Sequence, residues 1–248
     1  MSKVWILFRR EMTSFFYSPI AYSVMVGVLL MNGFSCVLLV RLLNDEPTNI
    51  SVFYAFFNSF FAWLTLVVMV PLITMKLFAE EKKTGTYESL MTTPLDNGHY
   101  VLAKFFAGYA FYLLLWAPTA VYFLLIKAFA ASPLDFAPVY GGFIGLALIG
   151  MLAISIGCFG SSLTANQITA AITTFALFGA MVLLSFLPIT PWATGKIKDM
   201  FNYFSMISHM DELVLGMLDW RHVIFYVTTS IFFLFLTYKV VESRQWKS

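Results

Sequence analysis

Apolar positions along the chain fall into six long segments, and the charged positions cluster in the stretches between them. A helix needs about 20 mostly apolar residues to cross the hydrocarbon core of a bilayer. The segments are close to that length, and they predict transmembrane helices over residues 20–40, 53–73, 105–126, 139–159, 168–187 and 223–238. We therefore predict an all-α fold, a polytopic membrane protein with a single transmembrane domain over residues 1–248.

The composition supports a membrane protein. Hydrophobic residues make up 60% of the chain and charged residues 11%, whereas a soluble domain carries about 25% charged residues. This shortage of charge requires the lipid bilayer as the solvent for most of the surface. The net charge is only +2, and no basic run is longer than two residues. We therefore exclude nucleic acid as a partner.

The distribution of basic residues predicts the orientation. The first apolar segment has about 21 residues, longer than the 7–15 of a signal-peptide core, so we expect an uncleaved first helix. With the N-terminus in the cytoplasm, ten of the 15 Lys and Arg residues lie on the cytoplasmic side. Because basic residues accumulate on that side, we expect a plasma (inner) membrane protein with both termini cytoplasmic.

Residues 1–19 predict an amphipathic elbow helix in the membrane interface. At 100° per residue, five apolar side chains share one face and three polar ones lie opposite. The apolar face is Trp5, Phe8, Met12, Phe15 and Phe16, and the polar face is Lys3, Arg10 and Ser14. Two interpretations stay open: a simple membrane anchor, or an elbow helix that also contacts a partner.

The loop 77–100 is the most polar stretch and predicts a short exposed helix. Gly85 can end a first helix in a left-handed conformation, and Thr86 is then a plausible N-cap. Glu88 in the first turn suits the positive end of the helix dipole, and Pro94 ends the helix. The predicted helix runs from about residue 86 to residue 92. Both a docking element and an ordinary charged loop remain open.

Two other regions predict helix packing on and within the bundle. Residues 190–221 are too polar to cross a membrane and too apolar for water, which favours one or two amphipathic helices on the outer side. The fourth apolar segment carries small residues four positions apart, which let helices approach closely. Gly141, Gly145 and Gly157 are the main candidates.

Motifs of catalysis do not occur in the sequence. It lacks the G-x-x-x-x-G-K-[ST] loop that cradles the phosphates of ATP. His99, His209 and His222 have no metal-binding spacing, and Cys36 and Cys158 lie in apolar segments as small hydrophobic residues. We therefore expect no enzyme activity and no catalytic residue, metal or cofactor in this chain.

The polar loop carries the most specific pattern, Glu80, Glu81, Lys82, Gly85, Thr86, Glu88, Leu90, Pro94 and Leu95. The outer segment adds Ser208, His209, Met210, Gly216 and Asp219, and residues 242–246 add a charged ending. Together these residues resemble ABC-2-type permeases, the membrane subunits of ATP-driven exporters. The resemblance extends along the whole chain, and it is greatest to the branch associated with gliding motility and with maturation of copper enzymes.

The resemblance implies a half-transporter that pairs with a second copy or a homologous permease. It also implies two copies of a separate ATPase, which would hold ATP and Mg. The helix at residues 86–92 would be the coupling helix seated in that ATPase. The remaining contact would come from Glu80, Glu81 and Lys82 and from the elbow residues Trp5, Phe8, Arg9 and Arg10.

The resemblance further implies that the first, second and fifth spans line the translocation pathway. The outer segment, with Ser208, His209, Gly216 and Asp219, would form its lid, and an outer-face accessory protein could bind there. Two other functions stay open: a scaffold that transmits ATP-driven motion to outer proteins, and a channel or lipid scramblase without an ATPase. An ATPase that co-purifies with the chain would exclude the latter.

Overall fold

The computed structural model describes residues 3–45, 50–86, 96–130, 135–190 and 195–245. Over these residues the regular structure is helical and contains no strand, which confirms the all-α prediction. Six helical stretches are long and apolar enough to cross a membrane, as predicted. They are Pro19–Leu43, Phe60–Thr84, Asn97–Phe129, Ala137–Leu163, Gln167–Leu184 and Trp220–Ser243.

Shorter helices flank these stretches and divide some of them. In chain order the α-helices of the described residues are α1 (Lys3–Tyr17), α2 (Pro19–Asp45), α3 (Val52–Phe57), α4 (Phe60–Thr74), α5 (Ala79–Thr84), α6 (Asn97–Trp116), α7 (Thr119–Phe129), α8 (Ala137–Leu163), α9 (Gln167–Leu184), α10 (Lys196–Phe204), α11 (Met206–Val214) and α12 (Trp220–Gln245). The pair α10 and α11 confirms the amphipathic helices predicted before the last span.

A helix cap at Ser59 divides the second apolar segment. Ser59 has an extended backbone, and its hydroxyl accepts a hydrogen bond from the Ala62 N–H at 3.2 Å. Such an N-cap satisfies a donor that the first turn of a helix leaves unpaired, so α4 begins at Phe60. The prediction of one helix over residues 53–73 is therefore wrong at its start, because the residues before Ser59 form the separate helix α3.

Pro118 divides the third apolar segment between α6 and α7, because proline has no N–H to donate to the helix ladder. The start of this segment also differs from the prediction. The structure begins α6 at Asn97, well before the predicted start at residue 105. Lys104, which the prediction leaves in a loop, is consequently a helical residue on a packed face.

The helix α8 lies at the centre of the bundle and contacts α4, α6, α9, α11 and α12. Its glycines allow these contacts. A Cβ at Gly141 would lie 1.9 Å from the carbonyl oxygen of Leu213 in α11, and one at Gly157 would lie 2.3 Å from Thr74 Cγ2 in α4. A Cβ at Gly145 would likewise crowd a side chain of α11. These small residues therefore set the distance between α8 and its neighbours.

The helix α1 lies along α6 through a narrow apolar stripe. Leu7 and Phe15 are buried, and Phe15 stacks on Phe111 of α6 with ring centroids 4.6 Å apart. Trp5 and Phe16 are 50% and 41% exposed. The prediction of an amphipathic helix is confirmed. Trp5 and Phe16 flank the buried stripe, because α1 packs on α6 through only part of its apolar face.

Candidate functional site

Four charged side chains meet where α1, α5 and α6 converge. Arg10 Nη2 lies 2.6 Å from Glu11 Oε1 and 2.6 Å from Glu81 Oε1. Lys104 Nζ lies 3.2 Å from Glu11 Oε2 and 3.0 Å from Glu81 Oε2. Each cation therefore contacts both carboxylates, and each carboxylate contacts both cations. We call Arg10, Glu11, Glu81 and Lys104 the ionic cluster.

Lys104 is the most enclosed member of the ionic cluster, with 1% of its surface exposed. Its ammonium lies 5.5 Å from the ring centroid of Phe78 and 5.2 Å from that of Tyr100, distances at which aromatic rings attract cations. The Tyr100 hydroxyl also donates a hydrogen bond to Glu81. Because a buried charge is costly unless it is paired, Lys104 holds α1 and α5 against α6.

The electrostatic balance of the cluster is visible in Glu11. Burial would raise the pKa of this carboxyl, but the charges and hydrogen bonds of Lys104 and Arg10 outweigh burial and lower its pKa below the ordinary value. Glu11 is consequently ionised at neutral pH and attracts both cations. The cluster thus joins three helices by charge as well as by apolar packing.

The C-terminal end of α8 holds the same region from the other side. The Ser161 hydroxyl accepts hydrogen bonds from the backbone N–H groups of Phe78 and Ala79, at 3.1 and 3.2 Å. The ammonium of Lys82 donates to the carbonyl oxygen of Ser162. The N–H groups of Phe78 and Ala79 lie at the start of α5, where the first N–H groups lack partners within the helix. The start of the polar loop is therefore fastened to α8.

The helix α5 ends where the sequence predicted. Gly85 has a φ of +74°, the left-handed conformation that glycine adopts without strain. The hydroxyls of Thr84 and Thr86 lie 2.9 Å apart across this turn. Beyond it, Glu88, Leu90, Pro94 and the rest of the predicted helix at residues 86–92 lie outside the described residues, apart from Thr86. That helix stays a prediction.

The other predicted contact residues lie around the ionic cluster. Glu80 is half-buried and lines, with the cluster, a pocket of about 340 Å³ whose walls also include Ser14 and Lys76. Trp5 and Arg9 are exposed on α1, and the ring of Phe8 stacks on that of Trp5 with centroids 5.3 Å apart. Of the predicted elbow residues, the structure therefore brings Arg10 into the ionic cluster.

A second polar group occupies the opposite end of the bundle, where α11 meets α12. His209 is buried, its Nδ1 lies 3.3 Å from the Tyr226 hydroxyl, and its ring centroid lies 4.1 Å from that of His222. His222 Nε2 lies 3.2 Å from Glu212 Oε2. Burial first, and then the nearby His222, lower the pKa of His209 to about 4. His209 is therefore neutral at neutral pH.

The other predicted lid residues shape the ends of helices. Ser208 hydrogen bonds to the Ser205 hydroxyl at the start of α11. Gly216 has a φ of +82° just after α11, and Asp219 accepts from the Arg221 N–H at 2.8 Å at the start of α12. In the described ranges, no three His, Cys, Asp or Glu side chains form a metal-binding group. Gly216 and Asp219 thus set the backbone path between α11 and α12.

Sequence reasoning did not find Glu11 or Tyr100, and it assigned no role to the charge of Lys104 or to the hydroxyl of Ser161. One signal was available, because Glu11 is the single acidic residue among residues 1–17. A lysine at the edge of an apolar segment is a second, because such a charge needs a partner. Neither signal identifies which charges meet, since Glu11 and Lys104 are 93 positions apart.

Comparison with known proteins places these features in a family. A family model described as ABC-2 family transporter protein matches residues 39–239, well over half of the 248-residue chain. No curated protein matches the chain. The matched region contains Glu81 and Lys104, whereas Arg10 and Glu11 of α1 precede it.

Proposed function

The chain belongs to the ABC-2 transporter family, and we propose that it forms one half of an ATP-driven exporter. In this proposal two copies of the chain, or one copy and a homologous permease, form the translocation pathway from α2, α4 and α9. Two separate ATPase subunits bind ATP and Mg, and the loop at residues 77–100 docks on them. The observation that carries the proposal is the ionic cluster, which joins this loop to α1 and α6.

The ionic cluster supports coupling because it connects the loop with three other helices. Glu81 of α5 contacts Arg10 of α1 and Lys104 of α6. The start of α5 hydrogen bonds to Ser161 of α8. A force applied to the loop by a partner on this side therefore reaches α1, α6 and α8 directly.

The energy of the cluster indicates that these helices move together. Separating α5 from α6 would leave Lys104 with one carboxylate in place of two. Removing the sole partner of a buried charge costs about 3–5 kcal/mol, and the cost here is smaller because Lys104 keeps Glu11. An ATP-driven change in the partner needs only to favour one state of the assembly over the other. A displacement of α1, α5 and α6 together keeps the ion pairs and therefore costs less free energy than separating these helices.

The remaining assignments follow from the same proposal. The basic residues near α1, α5 and the end of α12 support a cytoplasmic location for this side by the positive-inside rule, and in the proposal both termini lie inside a plasma (inner) membrane. The helices α10 and α11, with Ser208, His209, Gly216 and Asp219, form the outer lid, where an accessory protein can bind. The resemblance of the polar loop, the outer segment and residues 242–246 supports a place for the chain in the branch associated with gliding motility and copper-enzyme maturation.

The test uses the chain purified from its native membrane with its ATPase. Glu81→Gln should lower the ATP hydrolysis stimulated by the permease at least tenfold while the ATPase still co-purifies, because the docking surface remains. The matched control is Glu242→Gln, which removes the carboxylate of a Lys–Glu pair at the exposed end of α12. Stimulation at the wild-type level in Glu81→Gln would refute the role of the cluster.

A second pair of variants tests the loop itself. Gly85→Pro should abolish stimulation, because proline cannot adopt the left-handed turn at this position, and Glu88→Lys should weaken it. The control is Gly195→Pro, which changes another glycine of positive φ, at +60°, before α10. If no ATPase co-purifies with the wild-type chain, a channel or scramblase explains the protein better.

A further inference from the structure

Two histidines of the outer lid meet in a site that is closed to water. His209 of α11 and His222 of α12 are 3% and 7% exposed. Their ring centroids lie 4.1 Å apart, and their ring planes are inclined by 32°. Two positive charges this close in a buried site repel each other. The closed arrangement is therefore least stable when both imidazoles are protonated.

The groups around His209 suit a neutral ring. Its Nδ1 lies 3.3 Å from the Tyr226 hydroxyl of α12, and its ring hydrogen bonds to the backbone of Tyr203 in α10. The carboxylate of Asp219 favours a charge on His209, but it also lies 3.8 Å from the guanidinium of Arg221. The helix α8, which packs on α11 as well, carries no acidic or basic side chain. In the described part of the chain, no carboxylate lies within ion-pair distance of His209.

His222 has one nitrogen with a partner and one without. Its Nε2 lies 3.2 Å from Glu212 Oε2, whereas its buried Nδ1 has no hydrogen-bond partner among the described residues. The neighbouring carboxylate, Asp211, accepts a hydrogen bond from the Tyr54 hydroxyl of α3 at 2.9 Å. When Nε2 donates to Glu212, a proton added at Nδ1 therefore forms a buried N–H without an acceptor, and such a group costs free energy.

The helix α11 is a short unit with defined ends. It covers nine residues, Met206–Val214, and the left-handed turn at Gly216 follows it. At its start the Ser205 hydroxyl donates to the Ser185 carbonyl at 2.9 Å, and the Ser185 hydroxyl accepts from the Met206 N–H at 3.0 Å. None of these groups is titratable. A segment bounded in this way can open as a local cooperative unit while the bundle stays folded.

We infer that the histidine pair is an acid-sensitive latch, which releases α11 from α12 when both imidazoles are protonated. Release places both rings in water, where each charge is hydrated and the two charges lie farther apart. Protonation of clustered histidines shifts packed interfaces in this way, because the charges favour the separated state. That the latch controls the exit of a translocation pathway rests on the proposed function, whereas the release itself depends on this chain alone.

The expected size of the effect follows from His209. Burial first, and then His222, lower the pKa of His209 from 6.5 to about 4 in the closed lid. In the released segment this pKa returns to its ordinary value, so the released state binds the proton at a higher pH than the closed state does. The advantage of the closed state is therefore complete above pH 6.5 and declines as the pH falls towards 4. From about pH 7.5 to about pH 5, the equilibrium constant for release should rise about 30-fold.

The experiment is amide hydrogen–deuterium exchange of the purified full chain in micelles at about pH 7.5 and about pH 5. The rates are corrected for the intrinsic effect of pH on amide exchange. In the wild type, the amides of α11 should lose protection about 30-fold at the lower pH, and they should be less protected than those of α8 at both. His209→Gln should remove this loss, because glutamine hydrogen bonds without a titratable group. His222→Gln should make the loss smaller, because the neighbouring charge is absent.

The matched control is His99→Gln. The chain has three histidines, and His99 is exposed on α6, with its Nδ1 3.4 Å from Asp96. This variant should leave the loss of protection in α11 unchanged, because His99 is remote from the latch. The three variants together therefore test every imidazole of the chain.

Three results would overturn the inference. The first is equal protection of α11 at both pH values in the wild type. The second is a full loss of protection in His209→Gln, which would assign the effect to another group. The third is equal protection of α11 and α8 at the lower pH, because the whole bundle would then unfold together. If His209→Gln inserts poorly, a loss in His222→Gln as large as in the wild type overturns the inference instead. The experiment contains no ATPase, so its outcome is independent of the test of the exporter.

Discussion

Replacing Lys104 by methionine removes one positive charge from the ionic cluster while keeping a side chain of similar length. In the wild type this ammonium lies 3.2 Å from a carboxylate oxygen of Glu11 and 3.0 Å from one of Glu81. These carboxylate side chains are only 12% and 15% exposed. Lys104→Met would leave them close together with Arg10 as their shared cation.

The magnitude follows from the burial of each partner. Loss of one member of a buried ion pair costs about 3–5 kcal/mol. Arg10 contacts both carboxylates in the wild type, and it keeps those contacts in the variant, which reduces the cost. We therefore expect Lys104→Met to lower the free energy of unfolding by about 2–3 kcal/mol, less than the loss of a sole partner would cost.

The pH dependence has a definite sign. The pKa of Glu11 is lowered from 4.5 in the folded chain, so its ionised form contributes stability above pH 4.5, and this contribution is lost as the pH falls through the lowered pKa. Removing Lys104 should raise that pKa towards its ordinary value. The stability difference between wild type and variant should therefore be largest near neutral pH and shrink in acid.

The assay is equilibrium unfolding in mixed micelles of the wild type, Lys104→Met, Glu81→Gln and the double variant. The two single changes should not add, with a coupling energy of about 1–2 kcal/mol, because the residues are in direct contact. Lys239→Met is the control, since Lys239 forms an exposed pair with Glu242, and its loss should change the stability little because exposed ion pairs contribute little. Additive single variants, or equal losses for both lysine variants, would refute the reasoning.

Two further predictions concern the opposite end of the bundle. Gly141→Ala should destabilise the chain by about 1–3 kcal/mol, because its Cβ would lie 1.9 Å from a carbonyl oxygen of α11, whereas Gly179→Ala in open space should be neutral or stabilising. Unfolding free energies of the two variants in the same micelles check this, and equal values would contradict the close packing. The pKa of His209 is lowered from 6.5 to about 4 in the folded chain, so the unfolded chain binds a proton at a higher pH than the folded chain does. The free energy of unfolding should therefore fall by up to about 3 kcal/mol as the pH drops from 6.5 to about 4. His209→Gln should remove this slope, and an unchanged profile would exclude His209 as its source.

The number and order of the spans follow from local pattern. The free energy of placing an apolar helix in lipid depends on the residues of that helix. The composition of each 20-residue segment therefore predicts whether that segment crosses the membrane. The end of α5 at Gly85 is local in the same sense, because the left-handed turn depends on the absence of one side chain. These features could be predicted without any knowledge of neighbouring helices.

The boundaries of the spans depend partly on single residues, and their effect on where a helix begins or ends is harder to predict from the sequence. Ser59 and Pro118 both interrupt long apolar segments, and neither reduces the hydrophobicity of its segment enough to show in the pattern. The hydroxyl of a serine or threonine in an apolar segment can donate to a carbonyl of its own helix, as that of Thr65 does. It can also accept from the first turn of the next helix as an N-cap, as that of Ser59 does. The choice depends on whether the chain has room to turn, which is a property of the packed bundle.

The meeting of Glu11 with Lys104 has no local cause, because the two residues are 93 positions apart. Their contact requires that α1 lie along α6 and that α6 begin early enough to carry Lys104 into that seam. The sequence of this chain therefore specifies six membrane helices, an amphipathic N-terminal helix and a glycine-ended helix after the second span. Which charges pair, and which face of α1 is buried, follows from helix packing, because a buried charge is stabilised only by the groups that the whole fold brings to it.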